Sequence, residues 1–382
     1  MWQAEVRVDL GAIRDNLARL RAGTTAQVMA VVKADGYGHG MVPSARAALA
    51  GGATWLGACT ISEAITLRDA GFDVPVLAWL WAPGAPVADA VRAHVDLSVA
   101  SVSQLRAVAD VAARLDRVAR VHVKIDSGLS RNGATPADWA TLVDAAAKAQ
   151  VDGDIDVVGA WSHLAVADDP GHASIDRQLA RFHDGLEVVA RAGLTPQVRH
   201  LANSAALLTR PDTHFDLVRP GIAIYGLTPL AEGRDDLGLR PAMTVRAPVT
   251  LVKRVPSGEG VSYGHTYTTT GETTLALVPL GYGDGVPRHA SNSGRLHLAG
   301  GVRRIAGRVC MDQIVVDCGD DDVQPGDIAT LFGPGDDGEP TADDWAAATG
   351  TINYEIVTRI GSARVARVYD GPVHLAGGTA AR

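Results

Sequence analysis

Cysteine is scarce in this chain, with only Cys59, Cys310 and Cys318 among 382 residues. Their spacing holds no CxxC pair and no even-numbered framework. That excludes a disulfide scaffold, gives no support to a Cys/His metal site, and fits a reducing, cytoplasmic compartment. All three are expected to serve as small core residues. Blocks of Lys/Arg are also missing, and the formal net charge is −8, so a nucleic-acid backbone is excluded as a partner. No uncharged apolar run approaches the about 18 residues that a membrane helix needs, so no membrane association is expected. The opening MWQAEVRVDL places Glu5, Arg7 and Asp9 where a secretion signal would hold its apolar core, and none is expected there.

What is present is a soluble globular composition, 47% hydrophobic and 20% charged, with enough apolar material at this length for about two domains. Between residues 27 and 222, eight short apolar runs alternate with Ala- and Arg-rich stretches of helical period. The runs are QVMAVV, WLGACT, VPVLAWL, HVDLSVA, RVHVKID, VVGAWSH, QVRHLAN and LVRPGIAIYG. Their interiors are nearly continuous and β-branched, as in parallel strands covered on both faces. The intervening SEAITLRDAG opens on Ser62, a candidate N-cap, and ends on Gly71; SIDRQLARFHDGLEVVARAG ends on Gly193.

Eight strands each followed by a helix predict a (β/α)₈ TIM-type barrel over residues 10–235. A doubly wound sheet is the structural alternative, but no GxGxxG follows the first strand. From about residue 240 to 382, runs such as MTVRAPVTLVKRV, TTLALVPLGYG and SARVARVYDGPVHL alternate apolar with polar and break at Gly and Pro. They predict a mainly antiparallel all-β domain, and the alternating AEVRVDL within residues 1–9 is expected to join it.

Active sites on such barrels lie at the C-terminal ends of the strands. Those positions hold Lys33, Lys124 and Asp126, His163, Asn203 and Ser204, and Arg219. The loops after the seventh and eighth runs add Gly221 and Ile222, whose backbone N–H groups suit a phosphate. A lysine beside a phosphate site suggests pyridoxal phosphate, held by a Schiff base to Lys33.

Nine ordered motifs carry a more specific likeness: AVVKADGYGHG, VKIDSGLSRNG, WSHLA, RHLANSAA, VRPGIAIYG, VSYGHTY, GYGDGVPR, GRVCMDQ and NYEIVTRIG. Through them the chain resembles the bacterial alanine racemases over essentially its whole length. That resemblance implies pyridoxal phosphate as cofactor, a two-base racemisation of alanine, and a supply of D-alanine for peptidoglycan. It implies a homodimer in which the β domain lends Tyr263 to the partner subunit's site. Lys33 matches the cofactor lysine and one base, and Tyr263 the base on the opposite face. His163 matches the network around that tyrosine. Arg219 matches the arginine that faces the pyridine nitrogen, with His200 orienting it. Tyr37, Asn203, Ser204, Gly221, Ile222 and Tyr354 match the cofactor's phosphate side or its mouth. Arg131 and Met311 match substrate-carboxylate contacts, Asp312 a supporting residue and Tyr282 the entrance.

Lys124 matches a lysine that some members carry carbamylated, although its residues equally allow an ordinary lysine paired with Asp126. Thr358 departs from the commoner cysteine and is expected behind the site wall. Trp79 and Trp81 replace a small aliphatic stretch beside the third loop. Two other readings share the cofactor: a decarboxylase on the same scaffold, disfavoured by arginine at position 219, and a non-catalytic pyridoxal-phosphate protein, disfavoured by the β domain bearing Tyr263. No metal is implied.

Overall fold

The computed structural model describes residues 3–230 and 237–371. The expected barrel terminus at 231–235, the last residues of the β domain (372–382) and the first two residues lie outside the described residues.

Strand β1 (Ala4–Asp9) leads directly into the helix Leu10–Ala22, whose N-cap Asp9 accepts from the Ala12 N–H. The barrel strands follow: β2 (Gln27–Val31), β3 (Trp55–Ala58), β4 (Val76–Ala78), β5 (Asp96–Val99), β6 (Ala119–Lys124), β7 (Ile155–Trp161), β8 (Val198–His200) and β9 (Leu217–Val218). Every residue of β3, β4 and β5 is buried, because helices cover one face and the barrel interior the other. All neighbours pair in parallel in the order β8 to β2, then β9. The ring closes where Asp216 N donates to Arg199 O at 3.0 Å and Asn203 bridges to Arg219. Met29, Trp55, Leu77, Val158, Val198 and Leu217 fill the interior as one apolar cluster.

Two local expectations change. The eighth run keeps only two strand residues: Pro220 has no N–H for a ladder, and Ile222–Tyr225 winds into a 3₁₀ turn instead. Among the described residues no α-helix follows it directly; the helix Leu10–Ala22, ahead of β2, packs against this turn, with Asn16 donating to Ile224 O. The helix Ile61–Asp69 is capped by Thr60, not Ser62. Thr60 Oγ1 accepts from Glu63 N while the Glu63 carboxylate accepts from Thr60 N, a reciprocal box that TISE spells and Ser62 is placed too late to form.

The second domain is a nine-stranded sheet. Its order runs Leu251–Val255, Thr273–Val278, Ile314–Gly319, Gly301–Ile305, Arg295–Leu298, Ile328–Phe332, Met243–Pro248, β1 and Val365–Asp370. β1 pairs antiparallel with Met243–Pro248 and parallel with Val365–Asp370, and every other pair is antiparallel. Two short helices add to the strands, Ala342–Thr349, started by a Thr341–Asp344 capping box, and Asn353–Arg359. The latter carries Tyr354 to the barrel mouth. No described helix is long and apolar enough to cross a membrane.

Candidate active site

A cavity of about 630 Å³ opens at the C-terminal ends of the barrel strands. It gathers Lys33, Tyr37, Lys124, Arg131, His163, Asn203, Ser204, Arg219, Gly221, Ile222 and Tyr354 on one wall system.

Lys33 ends the first barrel run and enters a turn of unusual hand. Ala34, Asp35, Gly36, Tyr37 and Gly38 all have φ between 50° and 82°. A left-handed residue other than glycine costs roughly 1–2 kcal/mol, so Ala34, Asp35 and Tyr37 need outside support. They have it. Ala34 N donates to Glu63 Oε1 at 2.8 Å, Met41 N to Asp35 Oδ1 at 2.9 Å, and Arg367 pairs with Asp35 at 2.7 Å. Glu63 is a site-supporting residue that the sequence reading missed, though its capping motif was visible. The Lys33 amine itself is held below its ordinary value, first by burial and then by the Arg131 charge, with Cys59 and Glu63 opposing.

Arg219 is the most heavily committed group. Its Nη1 donates to His200 Nδ1 at 3.1 Å. Nη2 reaches Ser162 O at 2.9 Å, Leu201 O at 3.1 Å and His163 Nδ1 at 3.2 Å. None of these contacts uses Nε. Burial pulls the guanidinium pKa down to about 9, and burial, with the Arg219 charge second, drives His163 and His200 well below the usual imidazole range. Both rings are therefore neutral. Because a guanidinium only donates, His163 must accept at Nδ1 and carry its proton on Nε2.

The indole of Trp161 stacks on His200 at 5.3 Å, lies 4.9 Å from the Arg219 guanidinium and 4.0 Å from Lys124 Nζ. Lys124 is pushed down to about 7 by burial and by the Arg219 and Arg131 charges. It forms no ion pair with Asp126, whose Oδ1 instead accepts from the N–H groups of Gly128, Leu129 and Ser130.

On the opposite wall, Ser204 Oγ accepts from Gly221 N at 2.8 Å and from Ala223 N at 3.4 Å, so the Gly221 N–H is already engaged. Asn203 caps the short helix Ser204–Thr209. Burial raises the phenols of Tyr37 and Tyr354 far above neutrality, and both stay protonated donors. A Cβ on Gly221 would lie 2.3 Å from Tyr37 Oη. Gly221→Ala should therefore displace that hydroxyl at an overpacking cost of about 1–3 kcal/mol. Denaturant unfolding should report that cost as a lowered midpoint.

Three expectations shift on inspection. Cys59 lines the cavity and Cys310 is only half-buried, so neither is core, whereas Cys318 is buried as expected. Thr358 also lines the wall, donating to Tyr354 O at 2.6 Å. Trp79 faces the cavity 5.7 Å from Lys33 Nζ, while Trp81 points away to Ser98 O. Asn132 and Trp161 also line the cavity and were not singled out from the sequence.

The remaining residues lie elsewhere in this chain. Tyr263, Met311 and Tyr282 are 71%, 54% and 40% exposed on the β domain, and none lines the cavity. They share one surface: Ser262 Oγ contacts Cys310 Sγ at 3.3 Å, Tyr282 N donates to Cys310 O, and Gly283 N to Met311 O. Asp312 pairs with Arg364, which also holds Asp284.

Fold and site define a two-domain barrel protein with a depressed lysine amine and a buried guanidinium facing one cavity. Residues 8–229 match the family model for the alanine racemase N-terminal domain and 242–369 that for its C-terminal domain. Alanine racemases of Salinispora tropica and Thermobifida fusca are 67% and 60% identical, each over 97% of this chain and 99% of the relative. Crystal structures of the alanine racemase from D-cycloserine-producing Streptomyces lavendulae (52% identity) and the enzyme from Streptomyces coelicolor (55%) superpose with TM-scores of 0.96 and 0.94. They cover 97% and 96% of this chain and 98% of each of theirs. The chain belongs to the alanine racemase family.

Proposed function

We propose that the protein interconverts L- and D-alanine with pyridoxal phosphate as cofactor, each site being completed by a second copy of the chain. One observation carries this reading: a buried Lys33, its amine held below its ordinary value, and a wall of uncharged phenols and backbone donors face the same cavity as Arg219. The residues fit the cofactor. Lys33 supplies the amine for its aldehyde; Tyr37, Tyr354, Ser204 and the Ile222 N–H supply uncharged donors for its phosphate, with the Gly221 N–H holding Ser204 Oγ in place. Bound there, pyridoxal phosphate would supply an electron-withdrawing ring that acidifies the α-proton of an amino acid.

The protein's own groups do the rest. Lys33 handles the proton on one face of the α-carbon. Tyr263 of the second copy handles it on the other, since inversion needs removal and return on opposite faces. The exposed Tyr263, Tyr282 and Met311 surface is the part of the β domain suited to that second mouth. His163, with its proton on Nε2, can donate to the Tyr263 oxygen and favour its ionised form. Arg131 and the Met311 backbone take the substrate carboxylate. Lys124, neutral in part near pH 7, is poised for carbamylation, which would give Arg131 an anionic partner.

Arg219, donor-only and always charged in practice, can hold the pyridine nitrogen only in its unprotonated form, through the Nε–H, which none of its hydrogen bonds among the described residues engages. That limits electron withdrawal and keeps the proton returning to the α-carbon. Arg219→Glu should reverse the limit: D-alanine formation falls while pyruvate from L-alanine rises relative to it. An unchanged pyruvate fraction would contradict this role. Cytoplasmic location, supported by three free cysteines, and a role in providing D-alanine for peptidoglycan complete the reading. Incubation of the purified protein with L-alanine and pyridoxal phosphate should yield equal amounts of the two enantiomers; production of ethylamine and carbon dioxide instead would favour the decarboxylase.

A further inference from the structure

Behind the cavity a line of buried polar side chains crosses the barrel interior. Arg219 Nη1 meets His200 Nδ1 at 3.1 Å, His200 Nε2 meets His122 Nδ1 at 2.9 Å, and His122 Nε2 meets Asp96 Oδ2 at 3.3 Å. Arg120 then grips Asp96, Nε to Oδ1 at 2.7 Å and Nη2 to Oδ2 at 3.1 Å. His122, His200 and Asp96 are completely buried. The fold is shaped around His122. The β6–β7 register slips between Val121 and His122, and a Cβ on facing Gly159 would lie 2.1 Å from His122 Nδ1. Gly159 has no positive φ, so its missing side chain serves space, not backbone conformation.

We propose that Asp96 and His122 are positioning residues that set the direction of this relay and thereby hold Arg219 as a donor at the cavity, an inference that builds on the racemase reading. The ends of the line fix every proton in it. Arg219 can only donate, so His200 accepts at Nδ1 and is protonated on Nε2. His122 must then accept at Nδ1 and is protonated on Nε2, and it donates to the Asp96 carboxylate, which only accepts. A proton on His122 Nδ1 would set two donors against each other at His200 or at Arg219. Asp96 thus specifies the His200 lone pair that Arg219 needs, two residues away.

Asp96→Asn inverts the line without changing its shape. Arg120 donates to both oxygens, Nε to Oδ1 at 2.7 Å and Nη2 to Oδ2 at 3.1 Å, so either amide orientation sets its nitrogen against one of them; the longer Nη2 contact is the one given up, the nitrogen takes the Oδ2 place and it donates to His122 Nε2. The proton of His122 moves to Nδ1, that of His200 follows to Nδ1, and Arg219 Nη1 faces a donor. In ¹⁵N-histidine NMR of the holoenzyme, His122 and His200 should each show a protonated Nε2 and an unprotonated Nδ1. In Asp96→Asn both should show the reverse. The kcat for racemisation should fall by roughly 10–100-fold, as for outer partners that orient a functional group. The KM for L-alanine should change less, and the pyruvate fraction should rise. Unchanged tautomers in Asp96→Asn, or a doubly protonated ring in the wild type, would overturn the proposal. Should Asp96→Asn fail to fold, His122→Gln and His122→Leu supply the comparison. Glutamine carries both a donor for Asp96 and an acceptor for His200, and should retain more activity and the wild-type His200 tautomer. Equal loss in the two variants contradicts the relay. Because the NMR readout needs no turnover, it stands even if the protein proves not to racemise alanine.

Discussion

Lys33→Ala should abolish alanine racemisation, lowering it by at least about 10⁴-fold, the upper end of what one general acid–base group contributes. The loss is that large because two duties are proposed for Lys33, attachment of the cofactor and proton transfer on one face. Its setting supports both. Burial and the Arg131 charge favour the free amine, and the left-handed turn over Ala34–Gly38 pins the strand end that bears it. Borohydride reduction of the wild-type holoenzyme, followed by peptide mapping, should recover the cofactor on Lys33. Recovery on Lys124, the other depressed lysine of the cavity, would overturn the roles given to every group around it.

Tyr263→Phe should lower racemisation by about 10²–10⁴-fold while cofactor affinity stays within a few-fold of wild type. The phenyl ring preserves the packing and only the ionisable hydroxyl is lost. Exchange of the α-proton of one enantiomer with solvent should persist, because Lys33 still serves its own face. Tyr263 is 71% exposed and does not line this chain's own cavity, so a folding defect is not expected to confuse the measurement. Near-normal D-alanine formation would remove Tyr263 from the chemistry.

The barrel was legible because its strands are buried on both faces and so read as unbroken apolar runs. The eighth run misled for a local reason: LVRPGIAIYG has the composition of a strand, but Pro220 stops the ladder after Val218. The turn after Lys33 was not legible at all. Ala34 and Tyr37 carry no sequence signal for positive φ, and what holds Ala34 and Asp35 comes from Glu63 and Arg367, far along the chain. The mouth residues could be listed as strand ends, but their mutual contacts could not. Asp96, His122 and His200 are separated by 26 and 78 residues and meet only when the barrel closes. Cys59 and Thr358 were misplaced for a related cause: whether a small residue near a strand or helix end faces a cavity depends on neighbours that local pattern does not encode.

The central claim is that one working site draws Lys33 from one chain and Tyr263 from another. Mixing a Lys33→Ala chain with a Tyr263→Ala chain under verified subunit exchange tests it directly. In a mixed two-fold dimer one site lacks both groups and the other regains both. Random pairing makes about half the dimers mixed, so activity should recover to roughly a quarter of wild type, from near zero in either parent. If both groups serve the same chain's site, every site in the mixture lacks one of them and no activity returns.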